Sequence, residues 1–230
     1  MKALYTIFAL LIAISAFGQA EVVEKTYPYT GQELDVDLEF GTELTINAWA
    51  KNEILVKITY EVNEGENNEA VVLDLDDYTD RLSVDIELDE RKMRDARECC
   101  CEGDGKHYWS RGRGNQVCAE VKVEVWLPPQ SDLYLETIIA DVEIKGMYGD
   151  VEVETVTGDI DLTWDEDKGA RVEMKTTTGD VYTNLKMDRK RDRGLSVISS
   201  HNLTGTIKGG DKEIMLKTVT SNIYLRKSGS

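Results

Sequence analysis

Apolar and charged residues alternate along most of the chain after residue 20, as in β-strands with one buried and one wet face. In Asp150–Thr155, for example, Val151 and Val153 are each followed by a glutamate. The same alternation begins at Leu34 and recurs, with interruptions, as far as Leu225. No long segment after residue 20 has helical periodicity. The pattern therefore predicts an all-β domain.

A short phrase recurs in the second half of the chain: a small or turn residue, then Asp or Asn, then an aliphatic residue. Counted between the Asp or Asn positions, the steps are 18, 21, 22 and 20 residues, and a half-step copy lies at 149–151. A period near 20 residues is typical of a β-solenoid, in which each repeat forms one coil. Gly, Asn and Asp tolerate tight corners, so we interpret the phrase as a corner, with a calcium-binding or catalytic Asp as the alternative. The five full copies are Ala140–Val142, Gly158–Ile160, Gly179–Val181, His201–Leu203 and Ser221–Ile223.

The repeat length also predicts the size of the solenoid and its core. About 180 residues at 20 to 22 per coil would form about eight coils. The alternative is a β-sandwich of the same strands, which would pair them antiparallel. We expect the tail after Leu225 to blunt one end of the stack and 21–30 to cover the other, giving a monomer or weak dimer. The predicted inward residues are Val151, Val153, Ile160, Leu162, Val172, Met174, Val181, Leu195, Val197, Ile214, Leu216, Ile223 and Leu225.

The first 20 residues have the organisation of a secretory signal peptide. Lys2 precedes an apolar run over 3–17, and small residues precede a polar break. This pattern predicts cleavage after Ala20, or alternatively after Gly18, leaving one domain over 21–230. We therefore expect an exported protein of the periplasm or cell surface. The apolar run is too short for a comfortable transmembrane helix, so we expect no stable membrane insertion.

The chain is strongly acidic, and this narrows the choice of partners. Its formal net charge is −17, from 27 Lys and Arg against 44 Asp and Glu. Such a charge repels polyanions, so nucleic acid and anionic membrane surfaces are disfavoured as partners.

The alternation is interrupted at 89–118, which we interpret as an insertion between two strands. An even number of cysteines in an exported chain predicts disulfides, with three connectivities that the sequence does not separate. We expect one bridge from the consecutive cysteines to the last one. The alternative is a metal site, but three consecutive cysteines lack the spacing of structural zinc ligands. All four cysteines lie in the insertion: Cys99, Cys100, Cys101 and Cys118.

The insertion also contains the candidate ligand-binding residues, which are two aromatic residues flanked by cations. Aromatic side chains beside arginine are the residue types that make interface hot spots. We predict that this loop contacts an anionic glycan or a protein partner at the cell envelope. The alternative is that the tryptophan covers the solenoid wall and the arginines only solvate the loop. The candidates are Tyr108, Trp109, Arg111 and Arg113.

The order of the segments carries a family resemblance. Val121–Thr137 has a strand, a Leu-Pro turn and a Leu-x-Leu-x-Thr strand, and the Gly-Asp phrases follow. Phe40–Ile46, with Trp49 after it, supplies a short opening strand. This order resembles the bacterial "putative adhesin" domain family of unknown function, over roughly Glu33 to Arg226 apart from the insertion. The resemblance implies a right-handed single-stranded β-helix that is exported and has no assigned catalytic residues.

These observations favour an adhesin-like binding or structural protein of the cell envelope. A polysaccharide-modifying β-helix enzyme is one alternative, but the Asp residues are spread one per coil and no known catalytic motif is present. We therefore expect no enzyme, no catalytic residue and no cofactor. A calcium-dependent envelope protein is another alternative, but neither acidic loop matches an EF-hand, so we expect no metal. Those loops are Asp165–Gly169 and the group Asp74, Asp76, Asp77 and Asp80.

Overall fold

A computed structural model describes residues 20–89, 91–92, 107–111, 115–188 and 201–229. The predicted signal peptide lies almost wholly outside these residues and stays a prediction. The described part is β-structure with two short 3-10 turns, at Asn68–Ala70 and Glu166–Lys168. Within it, no helix has the length and apolar character needed to cross a membrane.

Within the described residues, seventeen strands form two large mixed sheets. In chain order they are β1 Glu21–Pro28, β2 Glu33–Leu38, β3 Glu43–Ala48, β4 Glu53–Val62, β5 Val71–Asp77, β6 Arg81–Leu88, β7 His107–Arg111, β8 Asn115–Leu127, β9 Leu133–Ile139, β10 Asp141–Lys145, β11 Val151–Thr157, β12 Ile160–Trp164, β13 Ala170–Thr176, β14 Val181–Thr183, β15 Asn202–Ile207, β16 Glu213–Thr218 and β17 Ile223–Lys227. Sheet A has the order β1-β4-β8-β3-β10-β12-β17-β14, with β7 also paired to β8. Sheet B has the order β15-β13-β16-β11-β9-β2-β6-β5.

The two sheets are connected layer by layer, where a layer is one strand of sheet B and the next parallel-paired strand of sheet A along the chain. In spatial order the layers are β6/β8, β2/β3, β9/β10, β11/β12, β16/β17 and β13/β14. Neighbouring layers pair in parallel in both sheets. The first and second layers in sequence have therefore changed places in space, so that β6/β8 lies outside β2/β3. The fifth and sixth layers have changed places in the same way, so that β13/β14 lies outside β16/β17. The C-terminal layer β16/β17 lies inside the stack.

The expected number of coils is wrong for the described residues, which form six layers. Five further strands pair antiparallel and add no layer: β1, β4 and β7 in sheet A, and β5 and β15 in sheet B. The parallel pairing between layers also contradicts the antiparallel β-sandwich. Val151 and Val172 both lie opposite Ile214, so these three residues are on neighbouring layers as predicted.

One continuous hydrophobic core fills the space between the sheets. The alternation predicts it well, because an aliphatic residue at every second position faces the same side of its strand. Val181 is only half-buried on the short strand β14, and Leu195 and Val197 lie outside the described residues. The predicted inward residues that are buried are Val151, Val153, Ile160, Leu162, Val172, Met174, Ile214, Leu216, Ile223 and Leu225.

The recurring Asp or Asn links one layer to the next. Asp141 Oδ1 accepts a hydrogen bond from the backbone N–H of Asp159 at 2.8 Å, and Asp159 Oδ1 accepts from the N–H of Asn222 at 2.9 Å. Asn222 Oδ1 in turn accepts from the N–H of Asp180 at 3.0 Å. The corners that precede strands of sheet B show the same kind of bond. There, Asp150 Oδ1 accepts from the N–H of Glu213, the first residue of β16, at 2.8 Å. These side chains therefore pin each strand start to the adjacent layer.

The glycine before the Asp is required by close approach of two backbones. A Cβ added at Gly158 would lie 1.8 Å from the carbonyl oxygen of Ala140, and one added at Gly149 would lie 1.9 Å from that of Ser131. Backbone atoms of a neighbouring layer have little room to yield. The glycines thus serve packing between layers as well as the tight turn.

Two expectations about the repeat and the tail are wrong. The phrase His201–Leu203 is not a corner between two parallel layers, because it opens β15, which runs antiparallel to β13 at the edge of sheet B. The tail after Leu225 does not blunt an end, because β17 is an internal strand between β12 and β14. The expectation that 21–30 covers one end of the stack agrees better with the structure, since β1 is the outermost strand at one end of sheet A.

We expect Asp159→Ala to lower the free energy of unfolding by about 1–2 kcal/mol, because the N–H of Asn222 loses its acceptor. Asp159→Asn keeps the acceptor oxygen and should be at least as stable as the natural protein. Urea unfolding of both variants measures the difference. Equal stability of the two variants would contradict the linking role of this side chain.

Candidate functional site

The structure places three of the four predicted ligand-binding residues on one strand. Tyr108, Trp109 and Arg111 belong to β7, which pairs antiparallel with the start of β8. Arg113 lies outside the described residues. The insertion therefore ends in a strand pair that extends sheet A, and its use as a binding loop stays a prediction.

The predicted disulfide also stays a prediction. Cys118 is buried on β8, and its backbone N–H donates to Asn63 Oδ1 at 3.0 Å. The candidate partners, Cys99, Cys100 and Cys101, lie outside the described residues.

Sheet A carries a pair of stacked tyrosines that the sequence interpretation missed. Tyr182 on β14 lies directly opposite Tyr224 on β17, and their ring centroids are 5.2 Å apart with an interplanar angle of 11°. The guanidinium carbon of Arg226 lies 4.9 Å from the Tyr224 ring centroid. Tyr182 is 49% exposed although it is a large aromatic residue. We call these three residues the tyrosine platform.

The layer register builds the tyrosine platform. Ile223 faces the core, so the next residue, Tyr224, faces outward on the pleated strand. The same alternation turns Tyr182 outward. The hydrogen bond from the N–H of Asp180 to Asn222 Oδ1 aligns the two strand starts, which sets the rings side by side. A slip of one residue would turn one ring to the opposite face.

Carboxylates border the tyrosine platform on both sides. Asp161 accepts a hydrogen bond from Arg226 Nε at 3.0 Å, and Asp180 Oδ2 accepts from the Tyr182 hydroxyl at 3.3 Å. The negative charge of Asp180 is the main cause that raises the pKa of Tyr182 above its usual value. The Tyr182 hydroxyl is thus held by Asp180, to which it donates its single hydrogen. Aromatic faces, fixed acceptors and a guanidinium are thus gathered on one outer surface.

Repeat alignment is the signal that could have found the pair. Tyr182 and Tyr224 each stand two residues after the Asp or Asn of their phrase, in Asp180–Tyr182 and Asn222–Tyr224. Residues in the same column of a stacked repeat lie in one row on the surface. Two residues at equivalent positions of the repeat contact each other only if their layers are neighbours. The sequence does not show that these two layers are neighbours, because the His201–Leu203 phrase stands between them.

The outer face of sheet B is strongly acidic. Five carboxylates lie in one row across the neighbouring strands β5, β6, β2, β9 and β11, at strand spacings of about 4.8 Å. Burial is the largest cause that raises the pKa of Asp37 in the middle of this row, and the charges of Asp85 and Glu136 add to it. Lys217 bonds Glu154 at the end of the row. The row consists of Asp74, Asp85, Asp37, Glu136 and Glu154.

The acidic loop Asp165–Gly169 is occupied by protein cations. Asp167 pairs with Lys208, and Glu166 pairs with Lys227 Nζ at 2.6 Å. Asp165 caps the short turn by accepting from the N–H of Asp167 at 3.0 Å. In the part of the chain that the structure describes, no three or more His, Cys, Asp or Glu side chains are grouped to hold one metal ion.

The fold defines an all-β protein of two mixed sheets, and comparisons with known proteins give it relatives. The profile of the family described as Toastrack DUF4097 matches residues 130–226, from the turn before β9 into β17. The match covers less than half of the chain and shows a similarity to this family over that part. No curated protein matches the chain by sequence.

Comparison with solved structures gives one likeness in fold at low sequence identity and weaker similarities beside it. A "putative cell adhesion protein" from Clostridium sporogenes has a TM-score of 0.55 and 11% identity, over 91% of this chain and 100% of that chain. A "putative adhesin" from Bacteroides fragilis has a TM-score of 0.26 and 9% identity, over 90% of this chain and 97% of that chain. The likeness to the Clostridium protein shows the fold that the two chains share.

We expect Asp37→Asn to stabilise the protein, because like charges on opposing residues of neighbouring strands repel. Relief of two such contacts is worth about 0.5–2 kcal/mol, or a rise of roughly 1–8 °C in the melting temperature. Differential scanning calorimetry at low salt and neutral pH measures it. The control is Glu213→Gln, whose carboxylate pairs with Arg171 at 2.6 Å, so that its neutralisation removes an attraction.

The same variant should weaken the pH dependence. Because the pKa of Asp37 is raised in the folded state from its ordinary 3.8, the folded protein binds protons more readily there than the unfolded chain. The resulting stability is present below the ordinary pKa and is lost as pH rises through the raised value. The natural protein should therefore lose stability from about pH 4 towards neutrality, and Asp37→Asn should lose less. Parallel pH profiles for the two proteins would contradict this account.

Proposed function

We propose that this chain is a non-enzymatic, adhesin-like binding or structural protein, exported to the bacterial periplasm or cell surface. In this proposal the two sheets are the walls of one β-solenoid, which acts as a stiff support. Its binding surface is the tyrosine platform on the outside of sheet A. The single observation that carries the proposal is this exposed stacked pair.

The chemistry of the tyrosine platform supports binding. Exposed tyrosine and arginine are the residue types that dominate interface energetics, because they offer a large contact area with few rotatable bonds. Tyr182 is already stacked against Tyr224, so it loses little rotational freedom when a partner arrives. The strands beneath it are fixed by the corner hydrogen bonds. The surface is therefore pre-organised for a contact.

The similarities are consistent with this assignment. The Toastrack match covers β9 to β17, which includes both tyrosines of the platform. The Clostridium sporogenes protein that shares the fold is named a "putative cell adhesion protein". An adhesin-like role is the proposal that uses both the fold and the exposed aromatic surface.

The arrangement of carboxylates favours binding over catalysis. Acid–base hydrolysis of glycans needs two carboxyl groups on opposite sides of the scissile bond. Here Asp37, Asp85 and Glu136 lie side by side along one sheet face. Asp161 beside the platform is paired with Arg226. We therefore propose no catalytic residue.

Binding to isolated cell envelopes of the producing organism tests the proposal. We expect purified protein to co-sediment with the envelopes, and Tyr182→Ala with Tyr224→Ala to weaken binding by about tenfold or more, as for hot-spot residues. Tyr78→Ala is the matched control. Tyr78 is 48% exposed, has an arginine 5.3 Å from its ring and an aspartate bonded to its hydroxyl, but belongs to no tyrosine stack.

A second variant separates the two candidate surfaces. Replacement of Tyr108, Trp109, Arg111 and Arg113 by alanine removes the predicted contact residues of the insertion. If only this variant loses binding, the insertion is the contact surface and the platform is not. If the natural protein does not bind the envelopes, the adhesin-like proposal is wrong.

A further inference from the structure

We propose that the tyrosine platform recognises a neutral glycan, with one sugar ring stacked on the open face of Tyr182. This inference rests on the proposed binding function and specifies its ligand. Four properties of the surface lead to it: the open aromatic face, the hydroxyl partners beside it, the local charge and the short edge strand.

The open aromatic face comes from the position of Tyr182 in the sheet. One side of its ring stacks on Tyr224, and β14 is the last strand of sheet A within the described residues. The other side of the ring therefore points past the sheet edge, in agreement with the 49% exposure of Tyr182. The face of an aromatic ring is electron-rich and attracts partially positive C–H groups. The C–H face of a pyranose has this character and is flat enough to stack.

Groups that can bind sugar hydroxyls lie around the rings. The carboxylate of Asp180 and the carboxylate of Asp161 are acceptors with lone pairs beyond those used by Tyr182 and Arg226. A carboxylate can accept from two neighbouring hydroxyls, as a vicinal diol presents them. The Tyr182 hydroxyl donates its single hydrogen to Asp180, so its oxygen is left as an acceptor for a sugar hydroxyl. Stacking and hydroxyl recognition can therefore act on one ring.

Local charge selects against acidic sugars. Arg226 is paired with Asp161, at 2.9 Å between Nε and Oδ2, so its charge is offset. Asp180 adds a negative charge beside Tyr182, and the chain as a whole carries −17. The basic segment 186–193 follows β14 in the sequence, and 189–193 lies outside the described residues. Beside the Tyr182 ring, the carboxylates of Asp180 and Asp161 would repel a uronate, sialate or sulfate. They would not repel a neutral ring.

The short edge strand argues against a peptide that adds to the sheet. Strand addition draws its affinity from a run of backbone hydrogen bonds. β14 offers three residues, and the chain then turns: Asn184 Oδ1 accepts from the N–H of Lys227 at 2.7 Å, and Thr183 Oγ1 accepts from the N–H of Leu185 at 3.1 Å. The exposed ring offers more contact than the exposed backbone does. The ligand is therefore expected to stack on the ring.

A panel of neutral and anionic oligosaccharides tests the inference, with binding followed by calorimetry and by NMR of the sugar protons. The neutral set contains glucose, galactose, mannose and N-acetylglucosamine oligomers, and the anionic set contains uronates, sialylated and sulfated glycans. At least one neutral oligomer should bind. Tyr182→Ala should weaken its binding by about tenfold or more, Tyr182→Phe by only a few-fold, and Tyr78→Ala not at all. The melting temperatures of these variants should match that of the natural protein.

The outcomes separate the ligand from the function. Binding of anionic glycans alone, no binding of neutral oligomers at millimolar concentration, or equal binding by Tyr182→Ala would overturn the glycan inference. If envelope binding depends on Tyr182 but survives periodate oxidation of glycans and is lost on protease treatment, the partner is a protein. In that case the glycan inference fails while the proposed function stands. If Tyr182→Ala unfolds, the two other variants still test the glycan inference. Glycan binding should then be weakened a few-fold by Tyr182→Phe and left unchanged by Tyr78→Ala.

Discussion

The structure depends on hydrogen bonds between layers at the corners, where an Asp or Asn side chain accepts from the backbone of the adjacent layer. Asp141, Asp159 and Asn222 form one such series across four strands of sheet A. Main-chain pairing alone would tolerate a slip along the strand. The corner bonds fix the first residue of each strand, and with it the side that every later side chain faces. The continuous core follows from this fixed register.

The same register arranges the surface in rows, and the rows explain its chemistry. On sheet B, equivalent positions of neighbouring strands carry Asp37, Asp85 and Glu136, so their negative charges accumulate. On sheet A, equivalent positions carry Tyr182 and Tyr224, so their rings stack. One device therefore produces a repulsive face and an aromatic face on opposite walls. Function in such a molecule is expected on rows of side chains.

The sequence predicted the strands, the parallel pairing and ten of the thirteen inward aliphatic residues, because the two-residue alternation and the 20-residue repeat encode them. It did not predict the order of the layers, since every layer has the same alternation and nearly the same corner. The order depends on β15, which pairs with the outer edge of β13. β16 pairs with the inner edge of β13 and therefore lies between β13 and β11. Tyr182 and Tyr224 become neighbours only through this order. The platform was therefore missed, although both tyrosines occupy one column of the repeat.

The most direct test of the account is the position of the C-terminal layer. Amide hydrogen exchange, followed by mass spectrometry or NMR, reports how deeply each strand is held in the stack. The account predicts that β16 and β17 exchange as slowly as β11 and β12, because they lie between other layers, and that β14 exchanges faster at the sheet edge. Fast exchange throughout β16 and β17, with slow exchange in β13 and β14, would place the last layer at the end of the stack. That result would contradict the layer order that brings Tyr182 and Tyr224 together in the tyrosine platform.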